Sequence, residues 1–192
     1  MVHGLLLTGG ASSRMGEPKA AICFHGVSLA TRAARALKSI ADPVLAVGPA
    51  FDTELDAVGD PGHGPLAAFV AGADVLRSRR CASVIVMAAC DLPFIDTDVV
   101  RFVVGSLGGH DAAVPVVGER DQPSISCFSA HAVEEARALV AKGERSMRAW
   151  LAVLDVRRLT DADWRDVATT AAFTDVDTPE ELERARALIR VR

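Results

Sequence analysis

The side chains best suited to chemistry lie in one glycine-rich segment near the start of the chain, Leu7–Lys19, with the sequence LTGGASSRMGEPK. It follows the apolar run Gly4–Thr8, which predicts a buried strand. Open α/β sheets bind ligands at the carboxyl ends of their strands. Glycines let backbone N–H groups approach a phosphate chain, and Arg14 and Lys19 supply positive charge. The segment therefore predicts a phosphate-binding loop.

This loop matches neither of the two common phosphate-binding motifs. Gly9 and Gly10 are adjacent, so the spacing of GxGxxG is missing, and no Gly-Lys-Ser/Thr closes the loop as in a Walker motif. The missing GxGxxG disfavours a dinucleotide-dependent oxidoreductase. For the segment taken alone, a glycine-rich turn with solvated basic residues stays open as the alternative.

Two aspartates further along the chain, Asp60 and Asp91, are candidate ligand-binding residues. Asp60 precedes a glycine-rich bend that leads into the helical pattern Pro65–Arg77, where a carboxylate can accept hydrogen bonds from a nucleobase or a ribose. Asp91 comes directly after the apolar run Ser83–Ala88, and one or two carboxylates together with substrate phosphates are the usual ligands of Mg²⁺. Each has a structural alternative, a turn or cap for Asp60 and a cap ahead of Pro93 for Asp91.

Short apolar runs alternate with helical patterns along most of the chain, which predicts one α/β domain over residues 1–192. The run SVIVMA is typical of a central parallel strand that is buried on both faces. The other predicted strands are Pro43–Gly48, Ala112–Val117 and Ser124–Phe128, and the predicted helices are one from Ser28 onward, Pro65–Arg77, Thr97–Leu107, His131–Ala141 and Ser146–Leu154.

A last helix is predicted to begin at the capping box Thr178–Glu181, with Pro179 at its first helical position. Its apolar residues follow the helical period, so we expect this face to dock on the sheet. They are Leu182, Ala185, Leu188 and Ile189.

Composition narrows the class of protein. The formal net charge is −4 and no basic block occurs, which argues against a nucleic-acid partner. No apolar stretch approaches the roughly 20 residues of a membrane span, and the start of the chain does not resemble a signal peptide. We therefore expect a cytoplasmic protein with no membrane partner. Its four cysteines, at 23, 81, 90 and 127, are predicted to be reduced and mostly buried.

Taken together, these segments resemble the molybdenum cofactor guanylyltransferases, which belong to the nucleotidyltransferase superfamily. The resemblance spans nearly the whole chain. The first loop and the Cys-Asp-x-Pro-aromatic motif are shared by many nucleotidyltransferases, whereas the later motifs favour the guanylyl enzyme. The matching segments are Leu7–Gly10, Arg14–Gly16 with Lys19, Asp60 with Gly64–Leu66, Cys90–Phe94, Gly118–Pro123, Gly143–Arg145 and Thr178–Leu182.

The resemblance implies a three-layer, Rossmann-like nucleotidyltransferase fold with a mostly parallel central sheet. It implies transfer of GMP from GTP to the terminal phosphate of molybdopterin with Mg²⁺, and transient contacts with proteins that deliver molybdopterin or accept the product. Arg14, Lys19 and Asp91 would be catalytic, and Asp91 and Asp177 would hold the metal, with Asp175 as the other choice. The nucleotide-binding residues would be Leu7, Thr8, Gly9, Gly10, Ser12, Lys19, Asp60 and Asp91. Residue type alone suggests Arg120, Ser146 and Arg148 for the pterin phosphate.

Some positions depart from the family pattern. The family commonly has asparagines at the two positions where this chain has Asp175 and Asp177, and aspartates at these positions are more typical of related cytidylyltransferases. The family also often has an asparagine at the strand end where this chain has Gly48. Pro18 precedes Lys19, whereas the family usually has an aspartate before this lysine and one more residue in the loop. A nucleotidyltransferase that uses CTP or another acceptor therefore stays open, as does a noncatalytic nucleotide-binding protein of the same fold.

Overall fold

A mixed sheet forms the middle layer of the computed structural model, which describes residues 1–9, 15–79 and 84–189. The strands are β1 Val2–Leu7, β2 Cys23–Phe24, β3 Val27–Ser28, β4 Val44–Val47, β5 Asp56–Val58, β6 Val84–Ala89, β7 Ala112–Val117, β8 Arg120–Asp121, β9 Ile125–Ser129 and β10 Val156–Leu159. The strand order of the main sheet is β10-β7-β9-β6-β1-β4-β5, with β8 paired to β7, while β2 and β3 form a separate hairpin.

Most neighbouring strands of this sheet run parallel. β1 pairs in parallel with β4 and β6, β4 with β5, and β7 with β10. β9 runs antiparallel to both of its neighbours, β6 and β7. The carboxyl ends of β1, β4, β5, β6, β7 and β10 therefore lie along one edge, which we call the carboxyl edge. The predicted mostly parallel central sheet is confirmed.

Helices cover both faces of the sheet. They are α1 Leu29–Lys38, α2 Pro65–Arg79, α3 Thr97–Gly105, α4 Ala130–Ala141, α5 Met147–Leu151, α6 Asp161–Trp164 and α7 Pro179–Ile189. One hydrophobic core joins residues of α1, α3 and α6 to one face of the sheet, and a second joins residues of α2, α4 and α5 to the other. Alternate residues of the central strands supply both cores, since Leu5 packs in the second and Leu6 in the first. The predicted three-layer arrangement is confirmed.

The predicted elements occur with small shifts at their ends. The helix predicted over Ser146–Leu154 is shorter, Met147–Leu151, and Ser146 is its N-cap. The capping residue Ser28 is confirmed, because its hydroxyl accepts a hydrogen bond from the N–H of Thr31. The predicted strand Ser83–Ala88 is present as β6 from Val84 to Ala89, and Ser83 itself lies outside the described residues.

The expected docking of the last helix on the sheet is wrong. Leu182 and Ala185 of α7 are buried, but they pack with Ile22 and Phe24 at the β2–β3 hairpin and with Leu29. Arg186 strengthens this contact by donating a hydrogen bond to the carbonyl of Cys23 at 2.9 Å. Leu188 is 56% exposed, and the side chain of Ile189 lies outside the described part of the chain. The hairpin, which the sequence pattern did not predict, offers α7 an apolar surface of its own.

Two of the three cysteines in the described residues are buried, as predicted, and the third is exposed. The thiols of Cys90 and Cys127 are free and buried, and burial raises the pKa of each to about 12. Cys23 is exposed, because it lies in the short hairpin rather than in the core, and Cys81 lies outside the described residues. Across residues 1–9, 15–79 and 84–189, no helix combines the length and apolar character that crossing a bilayer requires.

Candidate active site

Lys19 and Asp91 meet in an ion pair at the carboxyl edge. Asp91 follows β6, and Lys19 opens a short 3-10 helix, Lys19–Ala21. Their Nζ and Oδ2 atoms are 3.0 Å apart, and the two side chains are only 19% and 17% exposed. β6 lies beside β1, and the N–H of Cys90 donates to the carbonyl of Leu7 at 3.0 Å. The strand end that carries Asp91 is thus joined directly to the strand that leads into the glycine-rich loop.

Two further carboxylates reach the same place from the segment before α7. The N–H of Val176 donates to the backbone carbonyl of Asp91 at 3.0 Å. This bond places Asp175 and Asp177, the neighbours of Val176 in the chain, beside Asp91. One carboxylate oxygen from each of the three aspartates lies within 4.8 Å of the other two. Lys19 also donates to Asp177, so its ammonium bridges two members of this carboxylate cluster.

The N-terminal cap of α7 holds this segment in position. The carboxylate of Glu181 accepts hydrogen bonds from the backbone N–H groups of Asp177, at 2.7 Å, and Thr178, at 3.0 Å. In return the Thr178 hydroxyl accepts a hydrogen bond from the N–H of Glu181 at 3.2 Å. The predicted capping box is therefore present. It fixes the backbone on which Asp177 stands.

The charges in the carboxylate cluster act on one another. Burial raises the pKa of Asp175, and repulsion from Asp91 and Asp177 raises it further. Burial by itself lowers the pKa of Lys19, but hydrogen bonds and attraction from Asp177 and Asp91 outweigh it, so the pKa of Lys19 rises above its usual value. The ammonium is thus firmly protonated and offsets part of the negative charge.

The residues present fit a hard divalent cation. Hard cations such as Mg²⁺ take oxygen ligands, and carboxylate oxygens are the donors that converge here. Within the described part of the chain, Oδ1 of Asp91 is buried and accepts no hydrogen bond. A buried carboxylate oxygen without a partner is costly unless a cation or a ligand group reaches it. Asp91, Asp175 and Asp177 are the residues that would hold such an ion.

A second part of the site consists of loops packed closely around Gly9. A Cβ built on Gly9 would overlap the carboxylate of Asp60, and one built on Gly48 would lie 2.6 Å from the backbone nitrogen of Gly9. Gly48 also has a φ of +106°, which favours glycine. The loops that follow β1, β4 and β5 therefore meet with no room for side chains at these two positions. Sequence reasoning missed this role of Gly48, for which a glycine directly after a strand was the only signal.

Asp60 both shapes its own loop and faces the glycine-rich segment. Its Oδ1 accepts a hydrogen bond from the N–H of Gly62 at 2.8 Å, so the turn role that the sequence left open is real. Its other oxygen, Oδ2, is the atom nearest to the Cβ position of Gly9. Asp60 is half-buried, and its contact with a nucleotide stays a prediction.

The start of the glycine-rich loop is bonded to β4. The backbone N–H groups of Thr8 and Gly9 both donate to the carbonyl of Val47, at 3.0 and 3.2 Å, and the Thr8 hydroxyl donates to it at 3.1 Å. These N–H groups are therefore engaged within the sheet and do not point toward a phosphate. Leu7 is the last residue of β1. The loop residues predicted to touch phosphate, Gly10, Ser12 and Arg14, lie outside the described residues.

The pterin candidates are spread around the carboxyl edge. Arg120 is exposed in β8, which pairs with the carboxyl end of β7. Ser146 caps α5 by accepting a hydrogen bond from the N–H of Ala149 at 3.2 Å, and Arg148 is exposed in the same helix. The Cβ position of Gly64 lies 3.6 Å from the carbonyl oxygen of Arg145. The segment before α5 therefore borders the loop that carries Asp60.

Comparison with known proteins identifies the family of this chain and supports its fold. The family model described as the MobA-like NTP transferase domain matches residues 4–162. A probable molybdenum cofactor guanylyltransferase of Bacillus cytotoxicus is 27% identical over 94% of both chains. Among solved structures, molybdopterin-guanine dinucleotide biosynthesis protein A from Archaeoglobus fulgidus is 21% identical with a TM-score of 0.80 and covers 100% of both chains. The 2-C-methyl-D-erythritol 4-phosphate cytidylyltransferase from Thermus thermophilus is 19% identical with a TM-score of 0.65, covering 97% of this chain and 98% of that one. Because the family model spans most of its length, this chain belongs to the MobA-like NTP transferase family.

Proposed function

We propose that this protein transfers GMP from GTP to the terminal phosphate of molybdopterin in a Mg²⁺-dependent reaction that releases pyrophosphate. The observation that carries the proposal is the convergence of Lys19, Asp91 and Asp177 at the carboxyl edge, beside the loop after β1. The relative from Bacillus cytotoxicus, which aligns over 94% of this chain, supports the choice of substrates.

The chemistry requires positioning and charge neutralisation more than covalent work by the protein. An oxygen of the molybdopterin phosphate forms a bond to the α-phosphorus of GTP, the bond from that phosphorus to the bridging oxygen breaks, and pyrophosphate leaves with the electron pair. The attacking oxygen is already anionic, so no side chain has to remove a proton. Holding the two phosphates in line is the main contribution that we assign to the carboxyl edge.

Each part of the site then has a defined task. Lys19 neutralises charge on the triphosphate, and Arg14 is proposed to do the same from the loop. Asp91, Asp177 and Asp175 would hold the metal ion, and a bound Mg²⁺ would supply positive charge to the phosphate oxygens. Arg120, Ser146 and Arg148 remain our candidates for the phosphate of the pterin.

Base recognition is assigned to the crowded region around Gly9. Guanine presents N–H donors on its ring and on its amino group, and these need acceptors. Because the N–H groups of Thr8 and Gly9 are engaged with Val47, the contacts proposed for these two residues are made by their carbonyl oxygens. The carboxylate of Asp60 lies against Gly9 and provides a further acceptor for the base or the ribose.

A second candidate is the same reaction with CTP. The aspartates at 175 and 177 favour it, because the guanylyltransferases commonly carry asparagines there. The fold is equally compatible with it, since the cytidylyltransferase from Thermus thermophilus shares the fold.

The test is an assay of purified protein with Mg²⁺, molybdopterin and each nucleoside triphosphate in turn. Pyrophosphate and the dinucleotide are measured together. We expect both products with GTP and far less with the other nucleotides. Equal or greater turnover with CTP would favour the second candidate, and the absence of pyrophosphate with every nucleotide would contradict both candidates.

A further inference from the structure

The ammonium of Lys19 lies against the carboxylate cluster that would hold a metal ion. Its Nζ lies 3.0 Å from Oδ2 of Asp91 and also donates to Asp177. These are two of the three carboxylates whose oxygens converge within 4.8 Å, with Asp175 as the third. The lysine therefore already pairs with two of the three carboxylates that would hold a divalent cation.

We propose that Lys19 and the divalent cation exchange at the carboxylate cluster: the ammonium occupies the cluster in the nucleotide-free protein and leaves it when a divalent cation binds. The released ammonium then binds the phosphates of the nucleotide. Only this last step rests on the proposed function. The exchange itself depends on the cluster alone.

Electrostatic repulsion prevents the Lys19 ammonium and a divalent cation from binding to the carboxylate cluster at the same time. A divalent cation and an ammonium that contact the same carboxylates repel each other, and the low exposure of Lys19 and Asp91 weakens solvent screening of that repulsion. With neither cation present, the three carboxylates would repel one another.

The chain allows Lys19 to move without a change of fold. Its backbone is held in the short helix Lys19–Ala21. The N–H of Ala21 donates to the backbone carbonyl of Pro18 at 2.9 Å, and the N–H of Ile22 donates to the backbone carbonyl of Lys19 at 3.1 Å. Lysine carries a point charge on a flexible four-carbon stem. The side chain can therefore leave the carboxylates while its backbone stays in position.

The exchange predicts cooperation between metal and nucleotide. Metal alone must displace Lys19 without offering the ammonium a new anionic partner, so it binds weakly. A triphosphate offers that partner, so nucleotide and metal each raise the affinity for the other by the same factor.

The first measurement is the affinity for Mn²⁺ alone, without nucleotide, followed by electron paramagnetic resonance. Removing the competing ammonium in Lys19→Met should tighten Mn²⁺ binding by at least about fivefold. Lys38→Met removes one positive charge at the far end of α1 and should leave the affinity unchanged. Unchanged or weaker binding by Lys19→Met would overturn the exchange, as would the absence of Mn²⁺ binding by both wild type and variant.

The second measurement separates true exchange from simple repulsion and uses the wild-type protein. The sequence has three lysines, at 19, 38 and 142, so the acetylation rate of each can be followed by mass spectrometry. Adding Mg²⁺ without nucleotide should raise the rate at Lys19 and leave the other two as internal references. Metal binding with an unchanged rate at Lys19 would overturn the proposal.

Neither measurement involves GTP or molybdopterin, so the two proposals can fail separately. If the exchange is observed and no GMP is transferred, the proposed function is wrong and the exchange stands. If GMP is transferred but Lys19 never leaves the carboxylates, the exchange is wrong and the proposed function stands.

Discussion

The backbone N–H of Val176 donates to the backbone carbonyl of Asp91, and this bond joins the segment before the last helix to the end of the central strand β6. The carboxylate cluster thus depends on two parts of the chain that are distant in sequence. Asp91 is fixed by the sheet, whereas Asp177 is fixed by the cap of α7. The ability to hold a cation should accordingly be sensitive to residues that never touch it.

Glu181→Ala should weaken metal binding through this cap. Glu181 accepts from the N–H groups of Asp177 and Thr178, so its loss frees the backbone that carries Asp177. Residues that hold metal ligands in place typically contribute about 10- to 100-fold to metal affinity. We expect a loss of about that size in Mn²⁺ binding, together with about 1 kcal/mol of stability.

The matched control is Asp163→Ala in the capping box of α6, where Asp163 accepts from the N–H of Thr160 at 2.8 Å. It should cost similar stability and leave Mn²⁺ affinity unchanged. Glu181→Gln keeps one acceptor oxygen and should restore part of the affinity. Equal effects of Glu181→Ala and Asp163→Ala on metal binding would show that Glu181 serves only the stability of its helix.

Gly9→Ala should impair nucleotide binding. The added methyl group would overlap the carboxylate of Asp60, so the loops after β1 and β5 would have to move apart. We expect a rise in KM for the nucleotide of about tenfold or more, because small displacements of binding groups are costly. Steady-state kinetics would show it.

Gly105→Ala provides the control, because a methyl group there meets nothing within 4 Å. Gly105 ends α3, and its replacement should leave KM unaltered. A normal KM for Gly9→Ala would mean that the contact between Gly9 and Asp60 has no part in nucleotide binding.

Asp175→Asn should stabilise the metal-free protein at neutral pH. Burial and repulsion from Asp91 and Asp177 raise the pKa of Asp175, so its ionisation costs folding free energy. In the unfolded chain the carboxyl group of Asp175 ionises at its usual pKa of 3.8, and in the folded protein it ionises only at higher pH. The free energy of unfolding therefore falls as the pH rises from 3.8 through the higher pKa of the folded state. The Tm of the variant should exceed that of wild type at pH 7, and the difference should vanish below the usual pKa of aspartate.

Thermal unfolding with and without Mg²⁺ tests whether Asp175→Asn raises the Tm. A bound cation should shrink the advantage of Asp175→Asn, because it offsets the repulsion that the substitution removes. A lower Tm for the variant at pH 7 without metal would contradict the raised pKa of Asp175 on which this prediction depends.

Much of the fold follows from local patterns in the sequence. Continuous apolar runs predicted β1, β4, β6, β7 and β9, and hydroxyl caps with helical periodicity predicted most of the helices. The β2–β3 hairpin escaped prediction because strands of two residues show no periodicity. The docking of α7 was wrong because periodicity tells which face is apolar and not which surface covers it.

Residue types and strand pattern predicted only part of the site. Asp91 was found because it follows a predicted strand, and Lys19 because it is a basic residue of the glycine-rich loop; the structure brings the two into contact. Asp177 and Asp175 were named only through the family resemblance. The convergence of Asp175 and Asp177 on Asp91 requires the hydrogen bond from Val176, a tertiary contact with no local signal. The engagement of the Gly9 N–H with Val47 could not be inferred either, because it depends on strand register.

Asp91→Asn gives the most direct test of the central claim, that Asp91 holds the cation on which the transfer depends. Pyrophosphate release from GTP and molybdopterin should fall by at least about 100-fold, while GTP binding without metal should persist. Near-normal turnover by this variant would contradict the account.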